Sequence, residues 1–282
     1  MTLRPALPLA LSPTTQGPLY PPSEVCDAAG NFVVVGRICD GAGLPDWGGA
    51  IVSPRTQAPA FGAVGAYDIL RRFDPANLPD DLAEQVLWAL PLPLPCNNYP
   101  MVFAPEQAPE AHRVMRPSRP LHAAYVADAR PEDGLRPIPP ITLRDWLAAR
   151  GSVSVSVTPD GHNALFQMTF SGLVPHSVYT VMSLRQHDLR PQAPSRPGPL
   201  GIPNVVLSDA EGRARHEAVL PDPFPDPQRP DANRIINVIL LFMSTRASYG
   251  GAIGLHGLGG DIHAQLKLPM AAFADLVTRP AP

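Results

Sequence analysis

Proline interrupts this chain so often that little room is left for long helices or for unbroken central strands. It fills 38 of the 282 positions. Each proline fixes φ, removes a backbone N–H donor, and is tolerated in sheets only at edges, first positions or bulges. Much of the chain is therefore predicted to be loop, edge strand or extended arm. The prolines alternate with apolar residues that can pack, and the hydrophobic fraction of 45% is enough for a proper core. The length of 282 residues allows one large β domain or two ordinary ones.

One long apolar window anchors the rest. Residues 234–269 read RIINVILLFMSTRASYGGAIGLHGLGGDIHAQLKLP. Ile235 to Met243 is almost all apolar, rich in β-branched residues, and has no capping signal at its start. That predicts a strand buried on both faces. Gly250 and Gly251 turn the chain. Ile262, Ala264, Leu266 and Leu268 then alternate with His263, Gln265 and Lys267, which predicts a strand with one wet face. The two strands are expected to form an antiparallel core pair. Its rim would be glycine-rich and carry His256 and His263.

The second half of the chain repeats this logic. Ser152 to Val157 reads S-V-S-V-S-V, a strict alternation. Pro159-Asp160-Gly161 makes a turn, and Ala164 to Phe170 and Val178 to Leu184 follow as strands. Asn204 to Ser208 and His216 to Leu220 flank Asp209-Ala210-Glu211-Gly212, a hairpin signal. Pro221 to Asp231 is expected to be a long irregular loop whose Phe224 covers a hydrophobic rim, and Met270 to Val277 a last helix. Short strands separated by turn residues predict a mainly β chain. Its expected core is an antiparallel β-sandwich, immunoglobulin-like or Greek-key, spanning residues 141–282.

The first half is expected to be less regular. Residues 1–24 carry six prolines from Pro5 to Pro22 and should lie as an extended arm along a body or an oligomer partner. Residues 25–140 form a second β-containing region with short helices and long proline-rich loops. Phe32 to Ile38 and Ala50 to Val52 are its strands, and Ala66 to Phe73 is predicted as a turn or two of helix. Leu82 to Leu90 is predicted as a better helix, with Asn77 as cap, acidic residues in its first turn and Pro91 as stop. Residues 105–140 read as a connector. Thr142 and Asp145 have capping-box spacing, with Trp146 and Leu147 facing inward and Gly151 as the stop.

Gly17-Pro18-Leu19-Tyr20-Pro21, then Gly36-Arg37-Ile38-Cys39-Asp40 with Gly43, Pro45, Gly49 and Ala50, resembles the opening of the intradiol ring-cleaving dioxygenases. The resemblance covers about residues 17–52. It implies a β-sandwich, and a non-haem ferric iron held by two tyrosines and two histidines for cleaving catechols with dioxygen. Tyr20, Tyr99, His122 and Tyr125 are the residues the resemblance points to. Arg119-Pro120-Leu121-His122-Ala123-Ala124-Tyr125 supplies one histidine of the family's R-P-x-H-I-H motif, and Ala124 stands at the second histidine position. The full metal-ligand motif is absent.

Read from the residues alone, the chemistry stays open between two classes. No H-E-x-x-H, G-x-S-x-G or H-x-H is present, and the glycines at 257, 259 and 260 lack the strand-to-helix context of a dinucleotide site. One class is a soluble protein, cytoplasmic or exported, that binds a small molecule or partner through its proline- and glycine-rich loops. Its pocket would be lined by Tyr179, Arg246, Tyr249 and His256. The other is a metal-dependent oxidoreductase in which dispersed imidazoles of His176, His256 and His263 share iron or copper. Cys96 with His112 or His122 is a further nucleophile candidate. Cys26, Cys39 and Cys96 show no CxxC spacing, and a disulfide and buried free thiols both remain open. A formal net charge of -3 argues against nucleic acid, and no stretch reaches the length of a membrane span. The arms suit a homo-oligomer.

Overall fold

The computed structural model describes residues 7–17, 22–23, 25–41, 45–57, 65–89, 139–190, 192, 195, 197–243 and 262–280. Within them the protein is mainly β, with two antiparallel sheets and short helices. No helix among the described residues is long and apolar enough to cross a membrane.

The large sheet has nine strands. They are β1 (Leu9–Pro13), β7 (Arg150–Val157), β8 (Asn163–Ser171), β9 (Val178–Arg185), β10 (Gly198–Pro199), β11 (Val205–Leu207), β12 (Ala214–Pro221), β13 (Ile235–Met243) and β14 (Ile262–Lys267). Their order is β10-β9-β13-β14-β1-β7-β8-β12, with β11 also on β9. Alternation decides what faces in. Val153 and Val155 of β7 and Phe166, Met168 and Phe170 of β8 are buried. They join Tyr179, Val181, Val238, Leu240 and Phe242, from the other half of the sheet, in one core cluster. The sheet is therefore curled, so that its halves bury their apolar faces against each other.

Strand β1 joins those halves. Leu9, Ala10 and Leu11 pair with Val153, Ser152 and Gly151 of β7, and Ser12 and Pro13 pair with Lys267 and Leu266 of β14. The proline sits at the last position of the strand. Part of the extended N-terminal arm is thus a strand at the middle of the large sheet.

The small sheet is built from β2 (Val25–Cys26), β3 (Phe32–Ile38), β4 (Asp46–Val52), β5 (Ile69–Phe73) and β6 (Trp88–Ala89), in the order β5-β4-β3-β2-β6. Strand β3 is buried on both sides. Val33 and Val35 belong to the main core, whereas Val34 packs with Ala50, Val52 and Tyr67 in a second cluster. The two sheets are locked together by Thr14, Thr15 and Gln16. Thr14 takes its N–H to the carbonyl of Gln265 (2.9 Å) and its hydroxyl to the carbonyl of Val35 (2.8 Å). Thr15 donates its hydroxyl to Val33 O and accepts from Val35 N–H, both at 2.8 Å. The Gln16 amide donates to Arg37 O and Pro22 O and accepts from Arg37 N–H.

Two helices are short. Helix α1 is Asp80–Ala83, and α2 is Leu143–Leu147, opened by the expected capping box of Thr142 and Asp145. Trp146 of α2 is fully buried, stands edge-on to Phe242 at 5.7 Å and donates its indole N–H to Thr14 O at 2.9 Å.

Several local expectations are corrected. Residues 69–73 are strand β5 rather than helix, because edge pairing with β4 captures their backbone groups. The helix predicted over 82–90 is only α1; Gln85 instead gives its carbonyl to Leu143 N–H, and Trp88 pairs with Cys26. Gly151 does not end α2, which stops at Leu147; it lies inside β7. Strands β11 and β12 flank a tight turn at Asp209–Arg213 but do not form a hairpin, since β11 pairs with β9 and β12 with β8. Gln265 is buried, not wet, because β14 is covered by α2, and its side-chain amide donates to Trp146 O at 3.0 Å. Residues 270–277 are not helical. Their carbonyls at Phe273, Ala274 and Leu276 are taken by the guanidinium of buried Arg234, which also binds the carbonyls of Phe224 and Pro225. Phe224, expected to cover a rim, is instead fully buried in the core, tilted against Phe166 at 5.8 Å and Phe273 at 5.6 Å.

Candidate functional site

The residues singled out from the sequence fall into three groups. Arg246, Tyr249, His256, His122, Tyr125, Tyr20, Tyr99, Cys96 and His112 lie outside the described residues. His263 is placed only as a β14 position paired with Phe242. Tyr179 and His176 are fully placed.

Tyr179 is 0% exposed. Its hydroxyl accepts the Val174 N–H at 2.9 Å, five residues upstream. The hydroxyl thus ties the start of β9 back to the turn before it. Burial pushes the phenol far above its ordinary value of 10.0. Tyr179 therefore braces the core and lines no open surface.

His176 lies three residues before it, exposed, with a φ of 49°. Its backbone N–H donates to Asp209 O at 3.3 Å. It is thus held beside the Asp209–Arg213 turn. Among the described residues, no group of three or more His, Cys, Asp or Glu side chains is placed to share a metal ion.

Beside that turn is a feature the sequence reading did not single out. An open cleft of about 670 Å³ is lined by Arg150, Gly151, Ser152, Thr169, Phe170, Ser171, Asp209, Arg213, Ala214 and Arg215. It lies on the outward face of β7, β8 and β12, whose register sets it. Ser152 and Arg215 stand on either side of Thr169, and Arg150 stands opposite Ser171. The Ser152 and Thr169 hydroxyls are 2.9 Å apart and bonded to each other. Strand parity puts these polar groups outside, because Val153, Met168, Phe170 and His216 take the inward positions.

The three arginines are held differently. Arg150 is clamped through one guanidinium nitrogen to the carbonyls of Leu147 (2.6 Å) and Ala149 (2.8 Å) at the end of α2. Arg213 is steered by the turn. The Asp209 carboxylate accepts from Glu211 N–H and Arg213 N–H and lies 3.9 Å from the Arg213 guanidinium, and Glu211 is 3.5 Å away. Arg215 is exposed and has no ion-pair partner among the described residues. Gly212 makes the turn possible, with φ at +70° and the Leu173 carbonyl occupying the space a β-carbon would need.

The cleft thus has hydroxyl donors on its floor and cationic forks at its rim. Its one aromatic, Phe170, points into the core, so no ring face is offered for stacking. The lining has three cations against Asp209, with Glu211 beside Arg213 at its edge, in a chain whose formal net charge is -3. The alternation in S-V-S-V-S-V and in Arg215-His216-Glu217-Ala218 shows which side chains face out. Nothing local shows that Arg150 and Arg215 share one surface, which depends on strand order.

No protein-family model matches this chain, and no curated protein matches its sequence.

Proposed function

We propose that this protein is a β-sandwich of Greek-key type that binds a small ligand, and that the ligand docks in the cleft over β7, β8 and β12. The architectural part is supported by the chain's three crossings between the halves of the large sheet, after β8, after β11 and after β12, and by the bond of the Tyr179 hydroxyl to Val174, which resembles the tyrosine corner of such sandwiches. The binding part rests on one observation. Arg215 projects from a paired strand with no ion-pair partner among the described residues, next to bonded hydroxyls and two arginines that the cleft also includes. A site built on sheet strands is held more firmly than one on loops, so little ordering is needed when a ligand arrives.

The test is a backbone amide NMR titration of the full chain with a small-molecule set that includes anionic, cationic and neutral members. Binders are expected to move the amides of Ser152, Thr169, Ser171 and Arg215 together. Binders whose shifts all lie elsewhere, or no binder at all, would end this reading.

A further inference from the structure

We infer that the cleft recognises a tetrahedral oxyanion, a phosphate or sulfate group either free or as a small monoester; this inference rests on the cleft being the binding site. A planar carboxylate is satisfied by a single guanidinium fork. Here the guanidinium groups come from three places: the end of α2 with the start of β7, the Asp209 turn, and β12. They stand around a floor of Ser152, Thr169 and Ser171 hydroxyls. Cations placed at three points of one lining suit an anion with oxygens on all sides, and each pairing would be charge-assisted.

The setting also selects against other ligands. No aromatic face is available to a nucleobase or a sugar ring. The one carboxylate of the lining, Asp209, is turned toward its own turn by two backbone N–H groups and toward Arg213. It is therefore engaged within its own turn. Arg215 completes the set: no carboxylate among the described residues is paired with its guanidinium, so an incoming anion need not compete with one. Because the cleft is open, binding is expected to weaken as salt rises.

The experiment is the same amide titration, run with inorganic phosphate, sulfate, glycerol phosphate, acetate and methylammonium at constant ionic strength. Phosphate and sulfate are expected to shift Ser152, Thr169, Ser171 and Arg215 saturably, with acetate far weaker and methylammonium silent. Glycerol phosphate binding more tightly than inorganic phosphate assigns a monoester; equal or weaker binding assigns the free ion. Arg215→Ala should weaken phosphate binding about tenfold, the loss of one charge-assisted pair, while unfolding at an unchanged denaturant midpoint. Arg229→Ala, a surface arginine outside the cleft, should leave binding unchanged. If acetate matches phosphate, or Arg215→Ala binds phosphate as wild type does, the oxyanion inference is overturned. The cleft itself survives as a site if another ligand still shifts those amides, and falls with the inference if none does.

Discussion

The side-chain amide of Gln16 occupies the space that a β-carbon on Gly36 would need. The same amide accepts the Arg37 N–H at 2.7 Å and donates to the Arg37 carbonyl at 3.0 Å, so it takes the place of a neighbouring strand beside β3. Gly36 also has φ at +151°, where residues with side chains are strained. Gly36→Ala is therefore expected to destabilise the protein by about 2 kcal/mol or more. In the Gln16→Ala background the same change should cost less, because the collision is gone and only the backbone strain remains. Urea midpoints of the four proteins measure both terms. Strictly additive effects would show that the two residues do not compete for that space.

Arg234 holds the C-terminal segment by geometry more than by charge. Its partners are five backbone carbonyls, and its guanidinium lies 6.0 Å from the centre of the Phe224 ring. Arg234→Met should cost about 3 kcal/mol or more, since several buried carbonyls lose their donor at once. Arg234→Lys should recover little, because an ammonium cannot span both sides of the cage. Limited proteolysis between residues 270 and 280, followed by mass spectrometry, is expected to cut both variants faster than wild type.

Asp188 gives a pH dependence with a definite sign. Burial holds its carboxyl above the ordinary value of 3.8, although it accepts from Arg185 N–H at 2.7 Å and Ser195 hydroxyl at 2.7 Å. The folded state therefore keeps this proton better than the unfolded chain does. Its contribution to stability falls as pH rises from the unfolded value through the folded one. Asp188→Asn removes that titration at a constant cost of about 1–3 kcal/mol for disturbed hydrogen bonds. Unfolding free energies at about pH 3 and about pH 6 should differ between the two proteins, the variant gaining ground at the higher pH. A gap that is constant, or that widens against the variant, would refute this.

Cys26 and Cys39 are buried and stand outside any disulfide, and burial pushes the Cys39 thiol up. The thiolate is the reactive form, so neither should react in the folded protein. In a Cys96→Ser background an aromatic disulfide reagent is expected to release no chromophore until denaturant is added, and then two equivalents. A full equivalent released from the native protein would contradict this.

Strands whose signal is local were legible in the residues. β13 falls at Ile235–Met243, β3 at Phe32–Ile38, and β7, β8 and β9 lie within two residues of their alternating patterns. The Thr142–Asp145 capping box was legible for the same reason, since its bonds close within one turn. Local patterns misled where distant chain supplied the partner. Ile69–Phe73 became a strand because β4 was there to pair with it, and the predicted 270–277 helix lost its carbonyls to Arg234. Tyr179 shows the same limit. Expected in a pocket lining, it is fully buried, and its hydroxyl accepts the Val174 N–H.

By itself the sequence determined the strand periods, the inward and outward faces of β7 and β8, the turns at glycine and aspartate, and the rarity of long helices among so many prolines. These follow from neighbours a few bonds apart. Only the tertiary structure decided that β1 lies between β7 and β14, that β11 and β12 part at a turn that looked like a hairpin, and that Arg150, Arg213 and Arg215 meet over one floor of hydroxyls. Strand order and register are set by which apolar faces bury together across long stretches of chain, and no local window carries that choice.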